Sequence, residues 1–483
     1  MELRAVGGHP SRGGRWVQAI GAFALAAFVA GACGSRLPDD ALARIDGQQT
    51  ASNGPASGGS VTETADGATG TPVETVDGAS TADSSVAAES GGAAAPTGVG
   101  TPAAACRGGA SGPGVTANEI KVASIVTASG PLPGATEGAY RGTQAYLAKV
   151  NAAGGVCGRK ITVLKGDDGL DPQRARGEFL RLEPQVLAMV GNLAVADSGY
   201  ADLVASTGVP YVGTLVDPAG RGATTYPKLE DNTAYTGPFL YYKKTYPSVT
   251  KVAFVYADVG GVRANTPSSR EAIKRVGFQI VHDSGLSSVS PDYTSDVIAM
   301  RDKGAQMVYG FALEVNMHVR LARNMRQQNY EPALKVANIG YDSRLIPLLG
   351  DVANGWTNHV DYLPVINEDE PARSPALGDF LAWNQRVAPS AKVDFFTVTG
   401  WTSTDLFVRA LQAVGPDVTR ARLLAALAKI TTADGAGIHA PVNPSTGLTQ
   451  HCFIIVRVKG GKWVREHPAD GFDCGHGEAY RYG

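Results

Sequence analysis

The chain has 483 residues, of which 43% are hydrophobic and 18% charged, with a formal net charge of −2 at pH 7. That near balance leaves no basic footprint for nucleic acid. A chain this long also exceeds what one hydrophobic core usually supports.

Arg4, Arg12 and Arg15 precede an apolar stretch at 16–29. It falls short of the ~20 residues a membrane-spanning helix needs, and suits the core of a signal peptide. Small residues lead to Ala30-Gly31-Ala32-Cys33. Residues 1–33 thus resemble a bacterial lipoprotein signal, in which Cys33 becomes the lipidated first residue. Ordinary secretion is the alternative, because Ala30-x-Ala32 also fits a small-residue cleavage pattern. Residues 34–114 are dominated by Ala, Gly, Ser, Thr, Asp and Pro. They lack the apolar surface that offsets ordering entropy, so they read as a disordered tether reaching ~50 Å. No later run is apolar enough to cross a membrane, and the remainder is expected to be a soluble body.

Cys106, Cys157, Cys452 and Cys474 form an even set in or beside that body, with Cys33 left over. In an oxidising compartment an even set pairs. Cys452 and Cys474 flank a strand-turn-strand stretch, which favours Cys452–Cys474 and, by elimination, Cys106–Cys157. No Cys-x-x-Cys occurs and the eight histidines are scattered, so neither a metal site nor a cofactor is expected.

From Val115 strand and helix signals alternate. Strands are expected at 120–127, 161–164, 186–190 and 211–215, with helices at 135–150, 173–182 and 200–205. The second series has strands at 252–256, 279–281, 307–311 and 334–339, and helices at 268–275, 293–301 and 315–328. This alternation predicts right-handed βαβ units and parallel sheets covered on both faces. Two doubly wound lobes explain the length better than one large sheet. Ligands of such sheets gather beyond the strands' carboxyl ends. The loops expected there, 127–131, 166–169, 193–198, 214–217 and 256–258, offer hydroxyls, amides and carboxylates for a small polar or zwitterionic solute. Asp167 and Asp168 read as structural acceptors around the Gly169 turn, and Trp401 as packing at the lobe junction.

The stretches IKVASIVTASGPLPG, GAYRGTQAYLAKVNAAGGVCGRKITVLKGDDGLDPQRA and MVGNLAVADSGYADLVASTGVPYVG resemble the first lobe of periplasmic binding proteins of the branched-chain amino acid type. KVAFVYAD and GAQMVYGFALE are similar to strands of the second. The resemblance spans 115–458 and weakens after Tyr341. It implies a type I periplasmic binding fold, α/β, with two lobes joined by a three-stranded hinge. The crossings would fall near Asp231, Leu363 and Gly437. Lobe I would comprise 115–231 and 363–437, and lobe II 232–362 and 438–483.

The resemblance also implies which residues meet the solute. Hydroxyls and backbone groups of the first lobe would hold a carboxylate, and a second-lobe carboxylate and tyrosines the rest. Carried onto this chain, the positions are Ala196, Asp197, Ser198 and Asp217 in the first lobe and Tyr341 in the second. Ser129, Tyr256 and Glu314, which end or follow expected strands, are further candidates. The alternatives are a helix-entry turn for Ser129, a helix N-cap for Asp197 or Ser198, a turn for Asp217, packing for Tyr256 and a helix cap for Glu314. Ala196-Asp197 stands where hydroxyls are common, Asp217 where threonine is usual, Gly260-Gly261 in place of a tyrosine, and Tyr341 where an acid is expected. A carboxylate at Asp217 would repel a ligand carboxylate, which opens the range to amides, polyols, aromatic compounds and cations. The implied function is a membrane-tethered, extracytoplasmic, monomeric binding protein that delivers a solute to the permease of an ABC importer. Two other readings stay open: a ligand-sensing ectodomain and an exported hydrolase. The chain has no Gly-x-Ser-x-Gly elbow, His-Glu-x-x-His, Walker loop or strand-borne GxGxxG to support an enzyme.

Overall fold

Short apolar runs such as AMV and MVYGF can be buried on both faces only inside a sheet that helices cover. The computed structural model describes residue 109 and residues 112–483. The leader, Cys33, most of the tether and Cys106 lie outside the described residues.

The first sheet is wholly parallel, in the order β2-β1-β3-β4-β5. Its strands are β1 (Glu119–Val126), β2 (Lys160–Asp167), β3 (Ala188–Val190), β4 (Tyr211–Val212) and β5 (Thr225–Tyr226). The helices α1 (Glu137–Ala152), α2 (Pro172–Leu182) and α3 (Ala201–Ser206) alternate with them. β4 is two residues where 211–215 was expected, because Gly213 to Val216 turn away at its carboxyl end.

The chain then runs through β6 (Thr233–Tyr235) and α4 (Gly237–Thr245) into a second alternating series. This contains β7 (Lys251–Ala257), α5 (Gly260–Arg275), β8 (Gln279–Leu286), α6 (Thr294–Asp302), β9 (Met307–Phe311), α7 (Val315–Gln327), β10 (Leu334–Ala337), α8 (Leu345–Leu349) and β11 (Trp356–Val360). Helices α9 (Pro375–Val387), α10 (Phe395–Val414) and α11 (Arg420–Leu427) follow. The chain ends with the antiparallel hairpin β12 (Ile454–Lys459) and β13 (Lys462–His467), then β14 (Ala479–Arg481). The second sheet has the order β13-β12-β11-β10-β9-β7-β8, and β14 pairs with β6 in a sheet of its own.

Helix α5 begins two turns before the expected 268 and carries Pro267 inside it. Gly260-Gly261 and Pro267 read locally as breakers, but Gly261, Val262, Thr266, Ala272 and Ile273 are buried, and that tertiary packing overrides the local signal. Helices α9 and α10 pack back onto α1, so the chain returns to the first sheet after building most of the second. Glycines make this return possible. A Cβ on Gly142 would sit 2.0 Å from the Thr397 carbonyl oxygen, and one on Gly400 1.9 Å from that of Ala139, so the α1 and α10 backbones nearly touch. Trp401 packs in this helix layer, edge-on to Tyr146 at 4.8 Å and Phe380 at 5.2 Å, and not at the lobe junction.

Between the sheets, backbone hydrogen bonds tie the passing segments together: Lys228 N to Pro444 O (2.7 Å), Glu230 N to Gly447 O (2.9 Å) and Leu363 N to Ile438 O (2.8 Å). Cys452 and Cys474 are joined by a disulfide. Cys157 is also disulfide-bonded. Among the described residues, no helix is long and apolar enough to cross a membrane.

Candidate ligand-binding cleft

A doubly wound sheet opens a crevice where its strand order reverses, beyond the strands' carboxyl ends. In the first sheet the reversal lies between β1 and β3, and in the second between β7 and β9. A single cavity of about 430 Å³ is lined from both. Leu132 and Thr136 reach it from the loop after β1, Leu193 and Val195 from after β3, and Leu215 and Val216 from after β4. The second lobe contributes Ala257, Val262, Phe311 and Ile339, and Phe395 and Phe396 enter from the start of α10.

The wall is therefore largely apolar, whereas the loop compositions suggested a polar site. Most of the polar groups are already engaged. Thr136 Oγ1 accepts from Thr127 N (2.8 Å) and donates to Leu193 O (2.6 Å). The Arg221 guanidinium donates to Leu215 O (3.2 Å), to Asp231 (2.9 Å) and to Asn265 Oδ1 (2.7 Å). Asn265 Nδ2 donates to Val216 O (2.8 Å), so this α5 residue bridges to the first lobe.

Of the eight positions expected to meet a solute, Glu314 lines the cavity. Its carboxylate caps α7, accepting from Asn316 N (2.8 Å) and Met317 N (3.3 Å). Burial raises its pKa, and the capped amides and the nearby Arg344 oppose the rise. The loop after β9 reaches the cavity through Ala312, which holds a left-handed φ of 52° that non-glycine residues adopt only where the surroundings enforce it.

The other seven positions do not line the cavity. Ser129 Oγ donates to Asp167 Oδ2 (2.6 Å), and Asp167 also accepts the Ala128, Ser129 and Gly169 amides. Although desolvation pushes the other way, these bonds bring the Asp167 pKa down to about 2. Asp168, fully buried, accepts from Thr127 Oγ1 (3.0 Å), Ala196 N (2.9 Å) and Leu170 N (2.9 Å), so Ala196 is bound by its backbone. Asp197 is buried as well, and its carboxylate accepts the Val216 and Asp217 amides. Burial pushes its pKa up to about 7 against those two hydrogen bonds. Ser198 is exposed. Asp217 caps a short turn by accepting Ala219 N (2.9 Å). The Tyr256 ring lies 5.9 Å from Phe254 with the Arg270 guanidinium over it at 5.3 Å. Tyr341 is 1% exposed, its hydroxyl donating to Asn367 Oδ1 (2.9 Å) and accepting from Ile366 N (2.8 Å).

Of the loops expected to meet a solute, 193–198, 214–217 and 256–258 send residues to the cavity, whereas 127–131 and 166–169 do not. Most of the area that faces the cavity is apolar, although Arg221, Asn265 and Glu314 also line it. Phe395 and Phe396 enter from the start of α10, for which no cavity contact was expected. The fold also brings together two of the scattered histidines, His467 and His476, around Asp473.

Comparison with known proteins agrees with this architecture. Over 234 residues the chain is 28% identical to a Leu/Ile/Val-binding protein homolog 8 of Brucella abortus, covering 44% of this chain and 56% of that relative. Among solved structures, a fatty acid ABC transporter substrate-binding protein from Thermomonospora curvata superposes with a TM-score of 0.59 at 20% identity, covering 73% of this chain and 92% of that one. An R. palustris solute binding protein in complex with benzoate gives 0.58 at 17%, covering 74% and 96%. A model of the periplasmic binding protein family matches residues 119–462, so the chain belongs to that family.

Proposed function

We propose that this protein is the receptor of an ABC importer, held at the membrane surface through Cys33, and that its solute has an aliphatic or aromatic body. The observation that carries this reading is the cavity wall. Leu132, Leu193, Leu215, Val262, Phe311 and Phe396 surround a space in which Arg221 and Asn265 already satisfy one another. A sugar placed there would lose water with few free partners to gain, at a cost of about 1–3 kcal/mol for each unpaired group. A polyamine would find Glu230 and Asp231 already paired with Arg481 and Arg221. An apolar body gains from burial on every side. The relatives' names, for Leu/Ile/Val, fatty acid and benzoate, share such a body. Their solutes differ in the polar end: here Glu314 would meet an ammonium group, and backbone amides at the rim a carboxylate. Capture works by lobe closure, and the driving free energy is the solute's preference for the closed form over the open one.

A thermal-shift panel on the mature chain tests this reading. A solute at 100 times its dissociation constant adds about 2.7 kcal/mol of stability, which moves the midpoint by a few degrees. Aliphatic or aromatic acids or branched-chain amino acids are expected to do so, and Val195→Trp, which fills the cavity, to abolish the effect. Stabilisation by sugars or polyamines alone would overturn the assignment.

A further inference from the structure

Where the chain leaves β13 for β14, two imidazoles converge on one carboxylate. His467 Nε2 lies 2.6 Å from Asp473 Oδ2, and His476 Nδ1 lies 2.7 Å from the same oxygen. The three donor atoms sit within 4.8 Å of one another. Asp473 is 8% exposed, and its other oxygen, Oδ1, accepts the amides of Gly475 and His476 at 3.1 Å each. Those two bonds turn Oδ2 toward the imidazoles.

The surroundings hold this geometry. Asp473 and Phe453 exchange both backbone hydrogen bonds (3.0 and 2.9 Å), and the adjacent Cys452–Cys474 disulfide repeats the connection covalently. The His467 ring stacks on Tyr241 at 4.7 Å, which fixes its tilt. A ligating carboxylate whose second oxygen is itself hydrogen-bonded is a common arrangement around a metal.

We propose that His467, Asp473 and His476 bind one divalent transition-metal ion of the zinc class. Two ring nitrogens and a carboxylate oxygen suit zinc, whose bonds to them run ~2.0–2.2 Å in a tetrahedron, with water at the fourth position. Neighbouring ligands in such a tetrahedron stand roughly 3.4 Å apart. The imidazoles therefore need to retreat from Oδ2 by less than about 1 Å, and the exposed side chain of His476 is free to do so. Without the ion, the same oxygen takes ring N–H groups in place of the metal. The bound ion would fasten the tail to β13 just before β14 pairs with β6, close to the segment where Arg481 bonds Glu230. This site is separate from the solute cleft and does not depend on the solute assigned to it.

The test uses the mature chain without a histidine tag, disulfides intact, stripped with chelator and titrated with Zn²⁺ by calorimetry and with Co²⁺ by visible absorption. One ion per chain and a four-coordinate Co²⁺ band are expected. His467→Gln/His476→Gln should weaken binding by roughly tenfold or more. If the double variant fails to fold, His476→Gln alone, at an exposed side chain, should show the same direction of loss. No saturable binding, or equal binding by the folded variants, overturns the proposal.

Discussion

Asp168 shows how one side chain can organise a binding loop without touching a ligand. Its two oxygens accept from Thr127, Leu170 and Ala196, which belong to the loops after β1, β2 and β3. Asp197 does the same for the Val216 and Asp217 amides after β4. Each carboxylate is buried, and removing that of Asp168 leaves the buried Thr127 hydroxyl and Ala196 amide without their acceptor. Asp168→Ala is expected to lower stability by roughly 3 kcal/mol, read as a reduced urea midpoint at unchanged slope. A loss under 1 kcal/mol would show that the loops hold without it. The sequence already marked Asp167 and Asp168 as structural, because Asp-Asp-Gly is turn chemistry. Asp197 read instead as a ligand contact, since its partners lie about twenty residues on and no local pattern announces them.

At the scale of elements, α7 packs on the second sheet through a histidine. His318 is fully buried, and neither ring nitrogen has a hydrogen-bond partner among the described residues. It fits because its neighbours lack side chains: a Cβ on Gly310 would stand 2.7 Å from its ring and one on Gly340 2.9 Å. Burial lowers its pKa to about 3 from an ordinary 6.5. Between those values the unfolded chain binds a proton that the folded chain refuses, so stability falls as pH falls through the window. The loss amounts to about 1.4 kcal/mol for each pH unit. Asp197, with its raised pKa, acts in the opposite sense between about 4 and 7. The informative quantity is therefore the difference between wild type and His318→Leu, measured by denaturant unfolding from pH 4.5 to 7. Wild type should lose roughly 2–3 kcal/mol relative to the variant at the acid end, and parallel profiles would refute the assignment. The β9–α7 unit was legible to within a residue, because MVYGF is a continuous apolar run and the helix after it keeps its period. That its inward face holds a histidine between two glycines was not legible.

In the whole molecule, Asn265 joins the lobes through Val216 O and Arg221. Contacts made across the cleft favour closure and so add to solute affinity. Asn265→Ala is expected to weaken binding of the best solute about five- to tenfold, the equivalent of about 1 kcal/mol. Unchanged affinity in calorimetry would assign the residue to one lobe's stability alone. Alternating apolar runs and turn residues, signals that act over about ten residues, were enough to determine a mainly parallel α/β body, its doubly wound lobes and its family resemblance. They did not determine the antiparallel β12 and β13 at the edge of the second sheet. The character of the cleft belonged to the tertiary structure. Whether a carboxylate or hydroxyl faces a solute depends on which backbone amides arrive from other loops, and in this fold they bind Asp167, Asp168 and Asp197 first. What is left to face the cavity comes from positions as distant as Leu132 and Phe396, brought together only when the two sheets set their carboxyl ends against a common space.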